Sequence, residues 1–201
     1  MVRQKESQDQ KTLDALSSQV NALKKELDKA RHSANTDGLT GVYNRKALDD
    51  YLLGLIDRNR VTRQSFSLLM MDLDHFKQLN DTYGHTVGDR MLLAFAEKCR
   101  SSVRSDDFLA RYGGEEFTLI LPGASLRNAV KKAKTICKTI ANSRYAADDS
   151  PKADVVSVTV SIGVSAYRQG DTVQSIIERA DQCLYKAKEK GRNRVVAEND
   201  I

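Results

Sequence analysis

Phe108-Leu109-Ala110-Arg111-Tyr112-Gly113-Gly114-Glu115-Glu116-Phe117-Thr118-Leu119-Ile120-Leu121 is the stretch whose reading decides the fold. Apolar runs at 108–112 and 117–121 flank a Gly-Gly turn, the pattern of a β-hairpin. Working upstream, residues 66–72 (FSLLMMD) are a continuous apolar run ending in acid, which predicts a buried central strand. Between strand and hairpin lie a short helix near 75–79, a polar loop, and renewed helical spacing over 88–99, with Leu92, Phe95, Ala96 and Cys99 on one face. Downstream, Ala129, Ala133, Ile136 and Ile140 mark a helix. Residues 155–164 alternate Val with Ser and Thr as a strand does. Val173, Ile176, Ile177, Ala180, Leu184 and Ala187 mark the last long helix, and 194–197 a short final strand. Another helix is expected over 45–56. A hairpin interrupting βα units implies an α+β fold, with a mixed, largely antiparallel central sheet flanked by helices.

The segment before about Asn35 reads as one helix. Leu13, Val20, Leu27 and Ala34 are spaced by sevens, as are Leu16, Leu23 and Ala30, with Lys24, Lys25, Glu26, Asp28 and Lys29 around the stripe. This predicts a coiled-coil stalk that pairs two chains; an amphipathic helix packed on its own domain is the other reading. Asp37-Gly38-Leu39-Thr40-Gly41 breaks the pattern, so residues 1–35 are expected to form the stalk and 36–201 the globular domain.

Composition sets limits. No apolar run approaches the roughly 18 residues of a membrane span, and the polar N-terminus lacks the apolar core of a signal peptide. A soluble cytoplasmic chain, or the soluble part of a longer protein, is expected. Cys99, Cys137 and Cys183 form no CxxC pair and each falls on an apolar helix face, so buried, reduced thiols are expected. The three histidines are too scattered for a zinc site. A net charge of +5 and a pI near 9.1 permit an acidic partner without choosing between nucleic acid, membrane and nucleotide.

Two acidic clusters carry the chemistry: Asp72-Leu73-Asp74 at the end of the central strand, and Glu115-Glu116 at the hairpin tip. If the hairpin pairs beside that strand, Asp72 and Glu115 face each other. Converging carboxylates repel unless a hard cation lies between them, and Mg²⁺ with a bound phosphate is the usual solution. Gly113 and Gly114 either let a base or phosphate lie against the turn or simply make it. Lys77, Lys188 and Arg192 offer cations to phosphate, although Lys188 and Arg192 also suit a solvated helix C-terminus capped near Gly191. The residues alone describe a carboxylate–metal site suited to a nucleoside triphosphate.

Taken together, these segments resemble the GGDEF family of bacterial nucleotide cyclases. The signature stands as Arg111-Tyr112-Gly113-Gly114-Glu115-Glu116-Phe117. With it come Asp37-Gly38-Leu39-Thr40-Gly41-Val42-Tyr43-Asn44-Arg45, the run from Asp72 through Lys77 to Asp81, Gly84-His85 with Gly88-Asp89, Ser161-Ile162-Gly163-Val164, and Ala180-Asp181 through Lys188 to Asn193. Glu115 replaces the Asp of the family's name and keeps the carboxylate; Val42 stands where Leu is more usual.

The resemblance implies the palm fold shared with adenylyl cyclases and polymerases, and a diguanylate cyclase that condenses two GTP into cyclic di-GMP and two pyrophosphates. It implies that Asp72, Glu115 and the Leu73 carbonyl hold Mg²⁺ (or Mn²⁺), and that Glu115, with Glu116 beside it, assists deprotonation of the 3′-hydroxyl. Lys77 would stabilise the transition state. Asn80 and Asp89 would read guanine with His85 nearby, Gly113 and Gly114 would lie against the nucleotide, and Lys188 and Arg192 would grip the β- and γ-phosphates. Arg104-Ser105-Asp106-Asp107 resembles the family's RxxD site, where Arg104 and Asp107 bind product and inhibit. Two domains must meet face to face, which gives a homodimerising stalk a purpose. An upstream sensor or receiver domain is expected, and neither nucleic acid nor direct membrane contact. The competing readings are a receptor that binds the nucleotide without turnover, argued against by the intact signature, and a nucleic-acid binder, argued against by the lack of interleaved aromatics.

Overall fold

In the computed structural model, residues 2–62, 64–146 and 154–201 are described, with their side chains except those of residues 2–15 and Asp28. The chain divides into two units, Met1–Thr36 and Asp37–Ile201. The first is a single helix, α1 (Val2–Asn35). Leu16, Val20, Leu23 and Leu27 lie along it with 48–64% of their surfaces open. Leu13, at the start of the expected stripe, falls outside the described side chains. No helix is long and apolar enough to cross a membrane among the described residues.

The second unit is built on β1 (Phe66–Leu73), whose eight residues are all buried. A strand covered on both faces needs no polar alternation, which explains the unbroken apolar run. Leu69, Met71 and Leu73 point into one core with α4 (His85–Ser102) and α5 (Leu126–Ala141). Phe66, Leu68 and Met70 point into the other, with α2 (Arg45–Thr62) and α6 (Val173–Glu189). The hairpin strands are β2 (Phe108–Gly113) and β3 (Glu116–Pro122). With β6 (Val160–Ala166) and β7 (Val195–Ala197) they form a five-stranded sheet in the order β2-β3-β1-β6-β7. Every pairing is antiparallel except β6–β7.

The expected strand over 155–164 is two strands. β5 (Val155–Val156) pairs with β4 (Tyr145–Ala146) in a small separate sheet, and the chain rejoins the main sheet only at Val160. The break falls where Thr159 turns toward Asp74: its carbonyl accepts from the Asp74 amide at 2.9 Å and its hydroxyl donates to the carboxylate at 2.6 Å. The polar loop expected after residue 79 is largely helical. α3 (Phe76–Tyr83) runs directly into α4, and only Gly84, at φ 82°, separates them. Phe76 and Leu79 anchor α3 in the core, and that packing overrides the weak propensity of Asn80-Asp81-Thr82.

Two glycines set close contacts. A Cβ at Gly163 of β6 would overlap the Ala180 carbonyl oxygen and Leu184 amide nitrogen of α6, so its absence lets helix and strand meet backbone to backbone. At the C-terminal end of α6, Gly191 (φ 107°) closes a Schellman turn: Arg192 N–H donates to the Ala187 carbonyl at 3.0 Å, and Gly191 N–H to that of Lys188 at 3.2 Å. The outer edge of β2 is covered by Tyr43, whose N–H donates to the Leu109 carbonyl and whose own carbonyl accepts from Arg111 N–H at 2.8 Å. The three cysteines are buried free thiols, and burial pushes Cys99 up to about 12 and Cys183 to about 11.

Candidate active site

The register of β1 against β3 places Asp72 directly opposite Glu116, and Leu73 N–H donates to the Glu115 carbonyl at 3.4 Å. The acidic end of the central strand and the hairpin tip are thus one site. Lys188 arrives from the last turn of α6 and pairs with Asp72 at 2.8 Å, Nζ to Oδ2, with the Asp72 side chain only 8% exposed. Burial raises the Asp72 pKa above its usual value; the hydrogen bond and charge of Lys188 and the charge of Arg192 offset this in part, while Asp74 adds to it. Burial and then repulsion by Asp72 raise Glu115 and Glu116 as well, again with Lys188 opposing. Lys188 is the one cation ion-paired in this cluster among the described residues, and Arg192 and Arg45 act on it by charge alone.

The donor set suits a hard cation. No group of three or more carboxylate, histidine or cysteine side chains converges tightly enough to cage an ion among the described residues. Carboxylates and a strand-end carbonyl leave coordination positions for water and phosphate oxygens, as Mg²⁺ prefers.

The hairpin turn has its own support. Gly114 is left-handed at φ 36°, and Glu115 is not among the described positive-φ residues, so this is not a type I′ turn. Arg111 holds it instead: its Nε and Nη2 donate to the Gly114 carbonyl at 2.9 and 2.6 Å, while Nη1 reaches the Asp37 carboxylate at 3.1 Å. Burial opposes ionisation of Asp37, but hydrogen bonds from Thr40 and the Arg111 charge hold its carboxyl below the usual value. The sequence reading gave neither Arg111 nor Asp37 a role. An arginine beside a tight turn and an acid at a helix break were the available signal.

A second group of polar residues lies on α3 and α4. Asn80 Oδ1 is buried with no hydrogen-bond partner. Gly88 of α4 faces it, and a Cβ there would overlap that oxygen. His85 and Asp89, one turn apart on α4, are exposed, as is Lys77 in the first turn of α3. No hydrogen bond or ion pair joins Lys77, His85 or Asp89 to the carboxylate cluster among the described residues. Arg104 and Asp107 form a compact turn, with Arg104 N–H donating to the Asp107 carboxylate at 2.8 Å. They line a cavity of about 460 Å³ together with Gly123, Asn128, Lys131 and Lys132.

Asp74 corrects the view of Asp72-Leu73-Asp74 as a single acidic cluster. Its carboxylate is buried and committed to Ser161, Thr159 and the Asn193 backbone.

The sequence matches the family described as diguanylate cyclase, GGDEF domain, over residues 34–194. The chain belongs to the GGDEF family. Its signature occupies the hairpin described above. The diguanylate cyclase VdcA of Vibrio cholerae is 42% identical over 184 residues, covering 92% of this chain and 53% of VdcA. The response regulator PleD of Caulobacter vibrioides is 40% identical over 175 residues, covering 87% of this chain and 38% of PleD. The chain thus spans about half or less of the length of these relatives. Among solved structures, the coiled coil and GGDEF domain of DgcB from Caulobacter crescentus, in complex with c-di-GMP, matches with a TM-score of 0.86 and 34% identity. That match covers 92% of this chain and 96% of that one.

Proposed function

We propose that this chain is a diguanylate cyclase, condensing two GTP into cyclic di-GMP and two pyrophosphates. The observation that carries the reading is the meeting of Asp72, Glu115 and Glu116 around Lys188 at the mouth of the signature hairpin. In each half-reaction, the 3′-oxygen of one GTP forms a bond to the α-phosphorus of the other, the α–β bridging bond breaks, and pyrophosphate leaves. Asp72, Glu115 and the Leu73 carbonyl would hold Mg²⁺, with Mn²⁺ as the alternative. Bound there, the ion supplies positive charge to the triphosphate and makes the 3′-hydroxyl more acidic.

The chain's own groups do the rest. Glu115, at the hairpin tip beside the strand end, would assist removal of the 3′-hydroxyl proton. Glu116 keeps the neighbourhood negative. Lys188 and Arg192 would donate to oxygens of the β- and γ-phosphates, for which Lys188 must release Asp72. Lys77, exposed on α3, steadies charge on the transferring phosphoryl group. The orphaned Asn80 Oδ1 and the Asp89 carboxylate accept hydrogen bonds from the guanine N1–H and N2–H₂ edge, with His85 beside them. Adenine offers no such pair of donors. Gly113 and Gly114 keep side chains away from the nucleotide.

Two such sites must face each other, so the working form is a homodimer. The exposed Leu16, Val20, Leu23 and Leu27 ridge of α1 supports pairing of two stalks as a coiled coil. Cyclic di-GMP bound at Arg104 and Asp107 would inhibit, and an upstream sensor or receiver would act through the stalk. The protein is placed in the cytoplasm, where GTP is available.

Product analysis tests the reading. Purified protein incubated with GTP and Mg²⁺ should yield cyclic di-GMP by chromatography and mass, and Glu115→Gln should yield none. Absence of product from the wild type at high protein concentration, after removal of bound nucleotide, would overturn it.

A further inference from the structure

We infer that Asp74 is a positioning residue for the nucleotide's terminal phosphates: it holds residues 192–193 in the backbone conformation that presents Arg192. The inference rests on the reading of Arg192 as a phosphate ligand.

Two residues from Asp72, Asp74 invites assignment as another metal ligand. Its surroundings exclude that. Only 5% of its surface is open, and both carboxylate oxygens are taken. Oδ1 accepts from the Ser161 hydroxyl at 2.6 Å; Oδ2 accepts from the Thr159 hydroxyl at 2.6 Å and from Asn193 N–H at 2.9 Å. No cation is paired with it among the described residues. A buried carboxylate satisfied by neutral donors alone is a structural anchor with a preference for backbone N–H.

What it anchors is an unusual piece of chain. Gly191, Arg192 and Asn193 follow one another at φ 107°, 62° and 47°. Glycine adopts such angles freely and asparagine tolerates them, but arginine is strained there. Strained backbone of this kind persists only where the surroundings over-determine it. Here the Arg192 amide is fixed to Ala187, its carbonyl accepts from Arg194 Nε at 2.9 Å, and the next amide is fixed by Asp74. Asp74 itself is held by Ser161 of β6 and by Thr159 just before that strand, so the arm is referenced to the sheet that carries Asp72. Arg192 is close enough to influence the Asp72 carboxyl. The carboxylate therefore ties the phosphate-facing arginine to the strand end where the α-phosphate reacts.

The test uses Asp74→Asn, which preserves size but presents an amide N–H₂ to donors. Affinities for a non-hydrolysable GTP analogue with Mg²⁺ and for GMP are titrated in the full chain for wild type, Asp74→Asn, Arg192→Ala and the double variant. Asp74→Asn should weaken the GTP analogue about tenfold, as loss of one charged-group contact does, and leave GMP unchanged. The double variant should bind the analogue no more weakly than Arg192→Ala. Equal losses for GMP and the analogue, or additive losses in the double variant, would overturn the inference. If Arg192→Ala binds the analogue normally, the phosphate reading of Arg192 fails and the inference with it. Should Asp74→Asn fail to fold by circular dichroism, Ser161→Ala removes one donor to the same carboxylate. It should show a smaller loss confined to the analogue, and a loss shared by GMP would refute the positioning role.

Discussion

Lys188 is the only cation ion-paired within the carboxylate cluster among the described residues, and replacing it with alanine gives the sharpest test of the site's electrostatics. The pair is 2.8 Å long, with Lys188 33% and Asp72 8% exposed. Exposed pairs contribute about 0–1 kcal/mol, and stranding a fully buried partner costs about 3–5 kcal/mol. An intermediate site gives about 2 kcal/mol, or about 4–8 °C in thermal midpoint for a domain of this size. The assay is thermal unfolding of wild type and Lys188→Ala, first in EDTA and then across a Mg²⁺ titration. Without divalent ion the variant should melt about 4–8 °C lower. Mg²⁺ should then stabilise the variant more than the wild type, because in the wild type the ion must displace an ammonium already in place. Equal Mg²⁺ shifts in both proteins, or an unchanged midpoint in EDTA, would refute the view that lysine and metal compete for one negative site.

Other consequences are measurable. Gly163→Ala drives a methyl into the α6 backbone, so it should lose about 1–3 kcal/mol in urea unfolding and lower GTP affinity by displacing Lys188. The pH profile of stability in EDTA should have two arms. Asp72, Glu115 and Glu116 have raised folded pKa values, so the folded state holds their protons more tightly, and stability should increase as pH falls from neutrality toward their ordinary values of 3.8 and 4.5. Asp171 behaves oppositely. Burial opposes it, but hydrogen bonds from Arg179, Arg168 and Ser175 depress its pKa below the ordinary 3.8, so its contribution is present above that value and lost as pH falls further. Asp171→Asn should blunt the acid arm in a melting series. Leu16→Asp with Leu23→Asp should abolish the dimer in sedimentation and lower specific activity at low protein concentration, while unchanged activity would remove the stalk from the mechanism. Arg104→Ala should relieve non-competitive inhibition by cyclic di-GMP, read from initial rates with added product.

Much of the fold was legible because the strongest patterns lie where one force dominates. β1 is apolar throughout because both of its faces are covered, and the hairpin announces itself through Gly113-Gly114 between two apolar runs. The weak points are those where a tertiary contact outweighs a local preference. Asn80-Asp81-Thr82 reads as loop but stays helical because Phe76 and Leu79 hold α3 down. Val155 to Val164 reads as one strand, yet Thr159 leaves the ladder to bind Asp74. The same limit applies to the site. The carboxylates were visible as clusters, and the register brings Asp72 beside Glu116. Sequence spacing did not reveal which acid in Asp72-Leu73-Asp74 turns inward to its own fold, nor that Arg111 spans from Asp37 to Gly114, because side-chain direction past a strand end follows no period.

The covered edge of β2 bears on how such a protein can meet its own copy. An open strand edge is a template: two of them zip together through backbone hydrogen bonds, and the union is hard to reverse. Tyr43 occupies that ladder beside Leu109 and Arg111, and β7 at the opposite margin is three residues long. Neither border invites a neighbour to continue the sheet. In the proposed cycle, in which two copies would meet, react and separate, contact between them would run through side chains and bound nucleotide. Such encounters would be fleeting, and their frequency would be set by the proposed pairing of stalks.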